Sequence, residues 1–181
     1  MATVFVPLDR EPVMRPVAAP TLPTEVAIEL AAERFRLDHS PPLYNGPVLL
    51  CTGMHDGTVD YYLADYASAL LHCRLADKDG ISPLGACYLG ACLIPVAPDG
   101  RTLWTLRGPQ VMAPNTWQLG TAGAIDPGET PREACLREAA EELGIEEVTI
   151  RPLGYCTGPQ SSGDIFYTAP LDPATPLRLS D

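Results

Sequence analysis

Apolar residues along this chain recur at two spacings, and those spacings divide it into helices and strands. Between Thr24 and Leu37, the side chains Val26, Leu30 and Leu37 line one side of a helix, while Glu25, Glu29, Glu33 and Arg36 gather on another. With Thr24 as its cap, this predicts a docking helix with one solvated face. Leu43–Thr52 reads as a strand, with a turn signal at Asn45-Gly46, and Gly53–Gly57 as a loop. Asp60–Leu75 reads as a second helix, because Tyr62, Tyr66, Leu70 and Cys73 keep helical spacing. His72 beside that stripe is a packed or surface histidine. Farther on, Leu84–Val96 and Thr102–Leu106 flank Pro98-Asp99-Gly100, which predicts a hairpin entering a buried sheet. Trp117–Leu119 and Ile165–Thr168 add two short strand-like segments.

Two regions lack this patterning. Residues 1–23 hold Pro7, Pro12, Pro16, Pro20 and Pro23. Proline fixes φ and removes amide donors, so this arm forms neither a helix nor a central strand; it is either disordered or laid over a partner surface. Ala76–Pro83, with Asp77, Lys78, Asp79 and Gly80, marks a lobe boundary. The expected division is an arm over 1–23, an N-terminal lobe over 24–83 and a second domain over 84–181.

Composition narrows the function classes. The formal net charge of -11 should repel nucleic acid backbones and anionic membranes, so neither is an expected partner. The longest apolar run, Leu84–Ala97, falls short of the roughly 20 residues of a spanning helix. The N-terminus has no basic patch leading into an apolar stretch, which makes the cytoplasm the expected location. Six cysteines are scattered without a Cys-x-x-Cys pair and read as reduced, packed thiols.

The chemistry concentrates in 123–145. Thr130, Pro131 and Glu133 fit the N-cap, N1 and N3 positions of a capping box, and Gly144 suits a left-handed helix end. The helix is therefore expected from about Pro131 to Leu143. At 100° per residue, Glu138, Glu141 and Glu142 share one face, while Leu136, Ala139, Ala140 and Leu143 face the sheet. Those three carboxylates repel one another and sit at the negative end of the helix dipole. Either they form a solvated acidic face, or they serve a hard cation such as Mg²⁺, which favours oxygen ligands. Gly120, Gly123 and Gly128 permit sharp turns before the helix, where Glu129 and Arg137 could pair.

This segment resembles the Nudix box, Gly-x5-Glu-x7-Arg-Glu-U-x-Glu-Glu-x-Gly-U, with U a bulky aliphatic residue. Gly123, Glu129, Arg137, Glu138, Glu141, Glu142, Gly144 and Ile145 match it, and Ala139 departs at the first U. The resemblance implies an α/β fold, the Nudix α/β/α sandwich with a mixed sheet, here carrying an N-terminal helix-strand-helix extension. It also implies a hydrolase that cleaves the diphosphate of a nucleoside diphosphate linked to another moiety, using Mg²⁺ or Mn²⁺. The alternative is a non-catalytic nucleotide-sensing module on the same fold. By the same resemblance, Glu138, Glu141, Glu142 and the carbonyl of Ala122 are metal ligands, and Glu138 and Glu142 are catalytic. Glu129 and Arg137 are structural support. The general base is Glu138 or, beyond the box, Asp164, which is otherwise a turn residue. Arg107 either reaches substrate phosphate or makes a surface salt bridge; Trp117 stacks on a base or lies in the core. Pro159 stands near a position used by ADP-sugar hydrolases, and Tyr44-Asn45-Gly46-Pro47 faintly resembles enzymes acting on UDP-sugars, which puts a nucleotide sugar first among substrates. Only 36 residues follow Ile145, so one of the N-terminal helices or a homodimer partner is expected to cover the sheet face that a second C-terminal helix usually covers.

Overall fold

A computed structural model describes residues 4–39, 45–79, 85–108, 114–158 and 161–178. The strands are β1 Val4–Pro7, β2 Val13–Pro16, β3 Pro47–His55, β4 Thr58–Asp65, β5 Cys87–Val96, β6 Trp104–Leu106, β7 Trp117–Leu119, β8 Thr121–Ala124, β9 Arg151–Gly158 and β10 Ser161–Pro170. The helices are α1 Thr24–Asp38, α2 Tyr66–Asp79 and α3 Pro131–Leu143. Leu43, Tyr44, Leu84, Pro159 and most of the expected lobe boundary beyond Asp79 lie outside the described residues.

Eight strands form one mixed sheet in the order β1-β9-β10-β5-β3-β4-β2, with β8 also paired to β5; β6 and β7 form a separate ribbon. The two ends of that order, β1 and β2, are joined by only residues 8–12. Six steps of extended chain span at most about 20 Å, whereas six strand spacings laid flat would need about 29 Å. The sheet must therefore curl. The proline-rich arm supplies both terminal strands, each ending on a proline, in keeping with proline's confinement to sheet edges.

The curled sheet separates two apolar layers. Leu49, Cys51 and Val59 join Leu89, Ala91, Leu93, Ile165 and Tyr167 beneath Ala134, Cys135, Ala139 and Leu143 of α3. Val48, Leu50 and Tyr62 point the other way, to Val26, Leu30 and Leu37 of α1 and Ala67 and Leu71 of α2. This is the α/β/α arrangement, with α1 and α2 covering β3, β4 and the start of β5. The cores do not divide at residue 83, since β3 pairs with β5 and shares its apolar layer. No helix among the described residues is long and apolar enough to cross a membrane.

Several local expectations are corrected. Asp60–Asp65 is strand, not helix: β3 and β4 form a hairpin whose turn, Asp56-Gly57, has φ of 50° and 73°. Asp-Gly with positive φ is the chemistry of a two-residue hairpin turn, a local signal more direct than the Tyr62-Tyr66 spacing. Helix α2 begins at Tyr66, where Asp65 Oδ1 accepts from the Ser68 amide at 3.1 Å and Asn45 Oδ1 from the Ala67 amide at 2.8 Å. Thr24 lies inside α1, and the cap position is Pro23. The expected hairpin between Leu84–Val96 and Thr102–Leu106 reduces to a single bridge, Val96–Thr102; β6 pairs with β7 instead. Glu33 is not solvated but 6% exposed, held by Arg36 at 2.5 Å and Arg74 at 3.1 Å, which ties α1 to α2.

Candidate active site

Helix α3 starts where local chemistry directs it. The Thr130 hydroxyl accepts from the Glu133 amide at 3.2 Å, and Glu133 Oε2 accepts from the Thr130 amide at 2.8 Å. It ends at Gly144, φ 68°, a left-handed conformation that costs a residue with a β-carbon energy. Between these caps the helix lies along β8, which pairs only with β5 among the described residues.

The facing side chains meet in register. Glu138 is buried against Gly123, and a β-carbon at Gly123 would overlap the Glu138 carboxylate. The Thr121 hydroxyl donates to Glu142 Oε2. Arg137 joins the surrounding acids: Nε donates to Glu129 Oε1 at 2.9 Å and Nη2 to Glu129 Oε2 at 3.1 Å, a bidentate fork. Its Nη1 donates to Glu138 Oε1 at 2.6 Å and Glu141 Oε2 at 3.3 Å, and Nη2 also reaches the Ala124 carbonyl at 2.8 Å. That last bond shows Ala124 turned to the open edge of β8. Carbonyls alternate along a strand, so Ala122 turns its own oxygen to the same edge.

Charge is unbalanced here. Four carboxylates (Glu129, Glu138, Glu141 and Glu142) crowd this edge, and the Arg137 guanidinium reaches three of them, Glu129, Glu138 and Glu141. Burial pushes the Glu138 carboxyl up, and Glu142 and Glu141 add to that; Arg137 opposes it. The fork from Arg137 holds Glu129 below the usual carboxylate range, and the same contact holds Arg137 firmly protonated. Among the described residues no three acidic, histidine or cysteine side chains converge into a ready-made metal cage. The carboxylates instead form a row: Glu138 against the sheet, Glu142 beside Thr121, Glu141 open to solvent.

The remaining expected residues lie around this edge. Asp164 is two strands inward, opposite Gly90 in the β10–β5 register and on the sheet face away from α3. A β-carbon at Gly90 would sit 2.6 Å from Asp164 Oδ1 and 3.1 Å from the Gly123 carbonyl oxygen, so two glycines let carboxylates approach the sheet from both faces. Arg107 donates to Gln118 across the base of the β6–β7 ribbon, and its charge is felt at Tyr66 and Cys92. Trp117 is 65% exposed, on the ribbon face opposite Gln118, and so belongs to no core. Sequence reasoning missed Thr121, whose bond to Glu142 depends on a pairing between segments 21 residues apart.

The model of the NUDIX domain matches residues 89–175, from β5 through the box to the end of β10. That match covers 87 of the 181 residues, just under half of the chain. An RNA pyrophosphohydrolase from Aeromonas hydrophila is 44% identical over 54 residues, 29% of this chain and 28% of that protein. One from Halorhodospira halophila is 32% identical over 80 residues, 44% of this chain and 38% of that protein. The chain thus spans well under half the length of these curated relatives. Among solved structures, the DR0079 protein of Deinococcus radiodurans is similar at 30% identity, covering 51% of this chain and 59% of that one, with a TM-score of 0.42. A C. elegans Ap4A hydrolase is similar at 24% identity, covering 51% and 72%, with a TM-score of 0.38. The match begins in β5, whose apolar layer Leu49 and Cys51 of β3 and Val59 of β4 share.

Proposed function

We propose that this chain is a Mg²⁺-dependent hydrolase of a phosphoanhydride bond in a nucleoside diphosphate linked to a second moiety, with Mn²⁺ as a substitute ion. The observation that carries this reading is the row of Glu138, Glu141 and Glu142 along a strand edge that also offers the Ala122 carbonyl, with one arginine against four acids. Mg²⁺ takes one or two carboxylates and completes its shell with water and phosphate, so a closed cage is not required. Bound there, it would screen the diphosphate and lower the pKa of an attacking water. Arg137 and Glu129 hold the loop and helix in register. Glu138, fixed by Arg137 and admitted to the sheet by Gly123, is the proposed base; Asp164 ranks second because it lies on the other face. Arg107, positioned by Gln118, is the proposed phosphate contact.

Among substrates, a nucleotide sugar remains the first proposal. Its support from Tyr44-Asn45-Gly46-Pro47 is reduced, because Asn45 is engaged in holding the start of α2. The names of the curated relatives favour a second reading, the 5′ end of an RNA, against which stands the net charge of -11. A panel of nucleotide sugars, dinucleoside polyphosphates and 5′-triphosphorylated RNA, with Mg²⁺ or Mn²⁺, separates them by product. Glu142→Gln should lower turnover of whichever substrate responds by about 100-fold or more, while metal-free stability is kept or raised. Full activity in that variant would overturn the metal-site reading. Tight nucleotide binding with no product across the panel would point instead to a sensing module.

A further inference from the structure

Away from the box, the fold brings together one pair of nucleophilic side chains. Cys51 of β3 and Cys87 of β5 stand directly opposite each other in the antiparallel ladder. Each thiol perturbs the titration of the other, and the Cys51 thiol donates to the Gly53 carbonyl oxygen at 3.4 Å. Opposed residues in such a ladder have α-carbons about 4.5–5.5 Å apart, within the roughly 4.4–6.8 Å that disulfides span. No other cysteine has a cysteine as its register partner among the described residues. Gly163 of β10 lies directly on the pair. A β-carbon there would sit 2.9 Å from Cys87 Sγ, 3.0 Å from Met54 Cε and 3.4 Å from Cys51 Cβ, so Gly163 leaves the pair room that a larger residue would fill.

We propose that Cys51 and Cys87 form a reversible redox site, closing to a cross-strand disulfide when the protein meets a hydroperoxide. In the first step a cysteine thiolate attacks the peroxide. An S–O bond forms as the O–O bond breaks, and the departing oxygen takes up the thiol's proton and leaves as water or an alcohol. In the second step the other thiol displaces hydroxide from the sulfenic sulfur. The S–S bond forms, the S–O bond breaks, and the hydroxide leaves as water with the second thiol's proton. Two thiols together lose two protons and two electrons, and the hydroperoxide accepts both.

Cys51 is the sulfur suited to the first step. The Cys87 thiol beside it holds Cys51 below the usual thiol range, while Cys87 itself is pushed up. Cys51 is only 3% exposed, and the less buried Cys87 marks the side from which a small peroxide reaches the pair. Opposed β-carbons in a ladder lie about 4.5–5.5 Å apart, against about 3.5–4.5 Å in a disulfide. The two ranges meet, so closure needs only a small approach of β3 and β5.

The test uses the full chain. It is treated with hydrogen peroxide, the remaining thiols are capped with N-ethylmaleimide, and the digest is mapped by mass spectrometry. A Cys51–Cys87 linked peptide should appear and be lost on adding dithiothreitol. The oxidised protein should melt about 5 °C or more above the reduced one. In Cys87→Ser the linked peptide and the peroxide-dependent shift should both be absent. Recovery of capped Cys51 and capped Cys87 from peroxide-treated wild type, or linkage of either to a different cysteine, would overturn the proposal even if the variant fails to fold.

Discussion

Helices α1 and α3 both carry rows of glutamate, and the two rows are managed in opposite ways. On α1, Glu29 and Glu33 face Arg36 and Arg74, two acids against two guanidinium groups, and Glu33 is buried because both cations reach it. On α3 and the loop before it, Glu129, Glu138 and Glu141 share the single guanidinium of Arg137, and Glu142 beside them meets the Thr121 hydroxyl and, among the described residues, no cation. The first arrangement is a structural cross-link between helices. The second leaves negative charge that a fold has no reason to keep, unless a cation completes it. An acidic helix face is therefore informative when its local balance is counted, and uninformative when only its acids are.

The sharpest way to break this contrast is Gly123→Ala. Its β-carbon falls on the Glu138 carboxylate, so the helix must lift or the carboxylate must leave; a loss of about 3 kcal/mol in unfolding free energy is expected, together with the loss of any Mg²⁺-dependent stabilisation. Denaturant titration with and without Mg²⁺ measures both. Next, Arg137→Lys keeps a charge but not the fork that holds Glu129, and should cost about 2 kcal/mol. A loss below a few tenths would mean the fork is not needed. Glu33→Gln leaves Arg36 and Arg74 without their shared partner and should cost about 1–2 kcal/mol, with no change in Mg²⁺ response, which separates the two helices cleanly.

The smallest effect concerns pH. The Glu138 carboxyl is raised by burial, so the folded state holds its proton more tightly than the unfolded chain does. That contribution is fully present below the unfolded carboxylate pKa and is lost as pH rises through the folded value. Metal-free Glu138→Gln should therefore be more stable than wild type at neutral pH, and the difference should vanish as pH falls below the ordinary carboxylate range. Thermal melts in EDTA across that range would show it; a variant less stable at pH 7 would mean that the Arg137 contact outweighs burial.

What was legible in the sequence follows contact range. Each cap of α3 bonds partners three to five residues away, so Thr130, Glu133 and Gly144 announce the helix and its ends. The Glu129–Arg137 contact spans eight residues and could be anticipated. The burial of Glu138 could not, because it depends on Gly123 arriving from a different strand. Glu33 meets Arg74 across 41 positions, and helical spacing alone offered a solvated face. The β3–β4 hairpin was missed for another reason. Tyr62 of β4 falls at helical spacing with Tyr66, Leu70 and Cys73 of α2, which hides the strand, while the turn chemistry of Asp56-Gly57 is the local mark of the hairpin.

The proline-bearing strands at the two sheet ends carry a consequence for synthesis. Val4 pairs with Thr157, so β1 leaves the ribosome well before β9 and waits for it before it has a ladder. Until then the growing chain holds an unmatched border that another nascent chain could occupy. Prolines at Pro7 and Pro12 blunt that hazard during the wait, since a segment short of amide donors is a poor template for a stranger.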